Sequence, residues 1–171
     1  MRLTDYFVPD LVLSSFEELD VPLLQKLGIS HVIADVDNTL SPYEEPDPPE
    51  KVVRWAGELK KNGISLSLVS NNGRERVERY AAPLGVLTLS GAKKPGKKAI
   101  LFAMKKAGSD LSNTCLLGDQ IFTDVWSGKR CRLLTVFVPP IRDRKNVIQK
   151  IKRALERPVL EKARKRKENE G

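Results

Sequence analysis

Asp35-Val36-Asp37-Asn38-Thr39-Leu40 stands directly after the apolar run of residues 29–34, which ends where the first acid appears. Two carboxylates two residues apart at the tip of a buried strand destabilise each other unless a cation or a shared proton intervenes. Alternate residues of a strand share a face, so Asp35 and Asp37 can converge on one point if the strand loosens there. A hard, oxygen-loving cation such as Mg2+ is the natural occupant of such a point. The rest of the chain can be read by what it adds to this tip.

Downstream, four more short apolar runs alternate with helical patterns. Strands are expected at 64–69, 86–89, 114–117 and 133–138, and helices at 49–62, 74–82, 97–106 and 123–129. Gly63, Pro83 and Pro139-Pro140 supply stop signals. Upstream, residues 6–9 look extended, 15–19 look like a helix or turn, and Leu23, Leu24 and Leu27 form an amphipathic turn closed by Gly28. Together with 29–34 this gives an α/β fold with a central five-stranded parallel sheet, a Rossmann-like three-layer sandwich. Ligands of such sheets sit beyond the carboxyl ends of the strands. Polar residues gather at those ends: Asp35 and Asp37, Ser70 and Asn71, Lys94, and Asp119 with Asp124.

The loop of residues 41–49 holds four prolines, which exclude helix and central strand, and Pro49 suits the first position of the helix that follows. His31 is the only histidine and can form no cluster, so it reads as a packed residue. Gly91-Ala92-Lys93-Lys94-Pro95-Gly96-Lys97-Lys98 nearly matches a phosphate-binding loop. Lys98 stands there in place of the required Ser or Thr, and Pro95 removes a backbone donor. The Asp35 stretch also begins like a calcium loop, but Leu40 and Pro46 replace its Gly and Glu.

A chain of 171 residues is long enough for one well-cored domain with a tail. No run approaches the roughly 20 apolar residues of a membrane span, and Asp5, Pro9 and Asp10 interrupt any signal-peptide core. Cys115 and Cys131 suggest reduced thiols in a cytoplasmic protein. The net charge of +8 is uneven: residues 142–171 hold 12 Lys/Arg against 5 Asp/Glu, while residues 1–141 hold 18 against 17. A domain over 1–157 and a basic, disordered tail over 158–171 are expected, with a last helix over 145–157 that Pro158 breaks. That helix has Val147, Ile148, Ile151 and Leu155 on one face, and either docks on the sheet or lies on a membrane surface. A basic terminus points to an anionic partner, phospholipid or nucleic acid.

The rim can handle a phosphate. Asp35 and Asp37 can hold Mg2+ with Asp119 as a further donor, and Mg2+ sites with few carboxylates usually complete themselves with substrate phosphate oxygens. Ser70 and Asn71, with nearby backbone N–H groups, can donate to phosphoryl oxygens, and Lys94 supplies positive charge. One carboxylate can be the nucleophile, forming an aspartyl phosphate, while the other moves the proton.

Asp35-Val36-Asp37-Asn38-Thr39, Ser70, Lys94-Pro95 and Gly118-Asp119 through Asp124 resemble, in order and position, the four motifs of the haloacid-dehalogenase-like (HAD) phosphatase superfamily. The resemblance covers about residues 5–157. The segments 118–125 and 138–141 look like subclass IIIA, the family of bacterial YqeG-type proteins and mitochondrial phosphatidylglycerophosphate phosphatases. It implies Asp35 as nucleophile and Asp37 as acid/base and backbone-carbonyl metal ligand. It further implies that Thr39 braces the loop, Ser70 binds and Lys94 neutralises the phosphoryl group, Asp119 binds Mg2+, and Asp124 ligates or orients the metal shell.

Residues 41–63 and 73–93 leave no room for the cap domain common in that superfamily, so an open site is expected. An open site suits a large substrate: phosphatidylglycerophosphate at a bilayer first, then phosphoprotein or nucleic-acid 3′-phosphate ends. Two rivals are a non-catalytic binding protein of the same fold and a receiver-like phosphoacceptor. The second has no use for an acid two residues after the nucleophile, and Asp37 is one.

Overall fold

The structure is a computed structural model that describes residues 3–142 and 157–162. Its elements run β1 (Leu11–Val12), α1 (Val21–Lys26), β2 (His31–Ala34), α2 (Glu50–Lys61), β3 (Ser65–Val69), α3 (Arg74–Ala81), β4 (Leu87–Leu89), α4 (Lys98–Ala107), β5 (Thr114–Gly118), α5 (Trp126–Arg130) and β6 (Leu134–Phe137). All paired strands are parallel, in the order β1-β6-β5-β2-β3-β4.

The sheet has six strands where five are expected. The addition is β1, a two-residue strand on the edge beside β6. Asp10 anchors it, its carboxylate accepting from both Thr135 N and Thr135 Oγ1 at 2.8 Å. Two residues carry no readable periodicity, so only this long-range anchoring marks them. Pro49 also differs from expectation: with ψ at 158° it stays extended and caps α2 instead of opening it.

Alternation along the buried strands sorts the core into two layers. Val32, Ala34, Leu66, Leu68 and Leu117 meet Leu24 of α1, Val52, Trp55 and Leu59 of α2 and Tyr80 of α3. Ile33, Val69 and Leu116 face the other way, against Ile100, Ala103 and Met104 of α4 and Cys131 at the end of α5. Trp55 satisfies its ring N–H on Leu19 O at 2.9 Å and meets Phe16 edge-on, centroids 5.3 Å apart. His31 is a core residue, as expected. Its Nδ1 lies 2.7 Å from Ser109 Oγ and its Nε2 2.9 Å from Ser67 Oγ. Burial pushes its pKa down to about 4, so the ring is neutral near pH 7.

Most of the helix expected over 145–157, and residues 163–171, lie outside the described residues. Residues 157–162 are helical, and Val159 and Leu160 pack against Ile121, Val125 and Phe137. Among the described residues, no helix is long and apolar enough to cross a membrane.

Candidate active site

β2 and β5 are neighbours in register, Ala34 opposite Leu117, and Asp35 N donates to Leu117 O at 3.0 Å. Asp35 and Asp119 therefore leave the sheet side by side. From β2 the chain moves one way to β3 and β4 and then returns to β5 on the other side. Such a switch point splays the connections apart and opens a crevice beyond the strand ends. Ser70 follows β3 at the same level.

Three carboxylates converge there. Asp35, Asp119 and Asp124 are 8%, 1% and 1% exposed, and one oxygen of each lies within 4.8 Å of the others. Lys94 reaches the cluster from the loop after β4, with Nζ 2.7 Å from Asp35 Oδ1, 2.6 Å from Asp124 Oδ1, and donating to Val69 O at 2.8 Å. Burial pushes the Asp35 carboxyl up to about 7 against the pull of Lys94. Burial would lower Lys94, but the charges of Asp124 and Asp35 override it and hold the ammonium above the ordinary lysine value. Lys94 bridges Asp35 and Asp124, and Asp119 lies in the same cluster. Such an all-oxygen donor set fits a hard divalent cation and is a poor match for softer metals that prefer nitrogen or sulfur.

Asp124 sits in a wide π turn, Ile121–Val125, between β5 and α5. Its Oδ2 accepts from Gln120 N at 3.1 Å. Its place depends on Gly118, where a Cβ would come within 2.3 Å of Asp124 Cβ and 2.5 Å of its Oδ2. Gly118→Ala is therefore expected to push Asp124 out of the cluster. The divalent-metal concentration for half-maximal activity should rise at least about tenfold, within the 10–100-fold range for disturbed metal surroundings, together with about 1–3 kcal/mol of lost stability from overpacking. A metal titration with a thermal melt checks both.

The carboxylate of Asp37 is not part of the cluster. The strand ends at Ala34, so alternation no longer holds, and the chain turns through Asn38 at φ 65°. Asp37 Oδ1 accepts from Arg76 Nε at 2.8 Å and also from Arg76 Nη2, while Oδ2 accepts from Asn72 Nδ2. Ser70 Oγ lies 3.5 Å from Asp37 Oδ2, at the limit of a hydrogen bond. Thr39 Oγ1 donates to Asp119 Oδ1 at 3.3 Å and ties the Asp35 loop to the end of β5. Asn71 spends its side chain on the Lys94 backbone, accepting from Lys94 N at 2.7 Å and donating to Lys94 O at 3.3 Å. Its carboxamide thus positions Lys94 instead of facing the crevice. Ile141 N donates to Asn38 O at 3.0 Å, so the segment after β6 closes the same loop.

Sequence reasoning missed Arg76 and Asn72. Arg74-Glu75-Arg76 reads as the solvated first turn of a helix, and no spacing rule connects it to Asp37, which is 39 positions away.

Asp35, Lys94 and Asp119 meet in one cluster with Asp124, while Ser70, at the end of β3, lies beside Asp37. A family model described as haloacid dehalogenase-like hydrolase matches residues 6–132. The chain belongs to this family. A curated relative, "Probable phosphatase YqeG" of Bacillus subtilis (strain 168), is 32% identical over 158 residues, covering 92% of each chain. Two solved structures share the fold. One is the 3-deoxy-D-manno-octulosonate 8-phosphate phosphatase of Moraxella catarrhalis, in complex with magnesium, phosphate and KDO: TM-score 0.51, 17% identity, 88% of this chain and 98% of that one. The other is the cobalt-bound deoxy-D-mannose-octulosonate 8-phosphate phosphatase of Haemophilus influenzae: TM-score 0.51, 17% identity, 81% and 94% covered.

As a member of the haloacid dehalogenase-like hydrolases, the chain is an enzyme of the phosphatase class. It carries no cap. Between β2 and β3 there is a loop and α2, and between β3 and β4 there is α3 with one 3-10 turn (Ala82–Leu84).

Proposed function

We propose that this hydrolase is a Mg2+-dependent phosphomonoesterase that works through an aspartyl phosphate on Asp35, with phosphatidylglycerophosphate as its substrate. The observation that carries the chemistry is the Lys94 ammonium held between Asp35 and Asp124 beside Asp119. A nucleophilic carboxylate, a charge-neutralising cation and further oxygen donors within one crevice are what phosphoryl transfer requires. The printed name of the Bacillus subtilis relative supports a phosphatase.

Asp35, Asp119 and Asp124, with the Asp37 backbone carbonyl, would hold Mg2+. When bound, the ion offsets charge on the carboxylates and on the transferring phosphoryl group. Asp35 attacks phosphorus as the bond to the leaving oxygen breaks, and Asp37 delivers a proton to that oxygen. Ser70 donates to the phosphoryl oxygens, and the Lys94 charge neutralises them. Asp37 then takes a proton from water, which attacks the aspartyl phosphate, releasing inorganic phosphate and regenerating Asp35. The test is phosphate release from an aryl phosphate and from phosphatidylglycerophosphate with Mg2+ present. An inactive wild-type chain on both would overturn the reading.

The lipid assignment is supported by the open, capless crevice and by the basic run after residue 141. It places the enzyme in the cytoplasm, in peripheral contact with an anionic membrane. The full-length chain is expected to pellet with anionic vesicles, less so at high salt. Replacing Arg164, Lys165, Arg166 and Lys167 with Gln tests this without removing Val159 and Leu160, which pack against the fold. Unchanged sedimentation of that variant would take the membrane role away from the tail.

A further inference from the structure

In the arrangement found, both oxygens of Asp37 are engaged. Oδ1 accepts from Arg76 through both Nε and Nη2, and Oδ2 accepts from Asn72 with Ser70 at 3.5 Å. To exchange a proton with a leaving oxygen or a water, Asp37 must give up one of these donors.

Arg76 is the partner built to leave. It sits in the first turn of α3 at the mouth of the crevice, with its side chain 20% exposed. Its guanidinium lies over the Tyr43 ring, 4.5 Å from the centroid, and Nη2 approaches Glu45 O at 3.5 Å. Tyr43 and Glu45 belong to the proline-rich loop of residues 41–49. That loop has its own tie to α3, because Arg79 meets the Asp47 carboxylate through two bonds of 2.9 and 2.8 Å. Arg76 can therefore turn over its aromatic seat without releasing the loop. A guanidinium is a planar fork that recognises phosphate and carboxylate oxygens in pairs and stacks on aromatic faces. Here its carboxylate partner is the group the reaction needs.

We propose that Arg76, seated on Tyr43, is a second anion subsite. It takes an anionic group on the leaving-group side of the substrate, a phosphodiester or a carboxylate a short linker from the phosphomonoester. In turning to that group it uncovers Asp37. The inference rests on the phosphomonoesterase reading and adds a specificity to it: monoesters that carry a second anion are favoured over those that do not. The placement on the leaving-group side follows from the role proposed for Asp37, proton delivery to the leaving oxygen, and from the contact of Arg76 with Asp37.

Three matched substrates test it: phosphomonoesters of a three-carbon alcohol whose far end bears a methyl phosphodiester, a carboxylate or a neutral hydroxyl. The wild type is expected to favour at least one anionic probe over the neutral one by about tenfold or more in kcat/KM. In Arg76→Ala that preference should collapse through KM, and Arg76→Lys should keep part of it, since charge remains without the fork. An Arg76→Ala variant that is slower on all three probes with its preference intact would overturn the subsite and leave Arg76 as a support for Asp37. Titration calorimetry of the corresponding phosphonates, with Mg2+ present, supplies a readout that needs no turnover. A two-anion phosphonate that binds wild type no more tightly than its neutral partner overturns the subsite. Discriminating binding without turnover of any probe would instead strike the phosphatase reading and keep the subsite.

Discussion

Asp35→Asn is expected to lower phosphate release on the order of 10^4-fold or more, the scale of losing a nucleophile outright. Asparagine matches the shape of aspartate, and its carbonyl can still accept from Lys94, which now donates to Asp35 at 2.7 Å. It cannot form the acyl phosphate. Folding should survive, because the substitution removes one of the two buried carboxylates that share the Lys94 ammonium, with Asp119 in the same cluster. Relief of that repulsion makes the metal-free variant at least as stable as wild type. A phosphate-release assay and a melt in chelator measure both. Wild-type turnover by Asp35→Asn would remove the covalent route.

Lys94→Met carries the second large effect, on stability as well as rate. The Lys94 side chain is 3% exposed and lies between Asp35 and Asp124. Methionine fills a similar volume but leaves buried carboxylates without their cation. Removing one partner of a buried ion pair costs about 3–5 kcal/mol. At about 2–4 °C per kcal/mol for a chain of this size, the melting temperature in chelator should fall by about 10 °C. A divalent cation should restore more of it than it adds to wild type, because it brings positive charge to carboxylates left without the ammonium. Turnover should drop about 10^2–10^3-fold, the usual loss when a donor to developing charge is removed. Equal melting temperatures of variant and wild type in chelator would show that the ion cluster does not hold the rim together.

The parallel α/β architecture was legible because each apolar run is short, bounded by turn residues and followed by a helical period. Strand ends inherit a common rim from that architecture, so the sequence alone leads one to expect Asp35, Ser70, Lys94 and Asp119 along that rim. What stayed hidden depended on partners far apart in sequence. β1 exists because Asp10 binds Thr135, and two residues of extended chain have no pattern of their own. Asn71 looked like a phosphate donor, and its amide fits the Lys94 backbone instead.

The opening stretch shows the division most plainly. By itself the sequence determined that two acids stand at the end of a buried strand, because periodicity and composition are local properties. Only the tertiary structure decided that they part. Asp35 turns to Lys94, in the cluster with Asp119 and Asp124, while Asp37 turns to Arg76 and Asn72. The direction of a side chain beyond a strand end follows from which opposite charge packing brings within reach, and no short-range pattern records that.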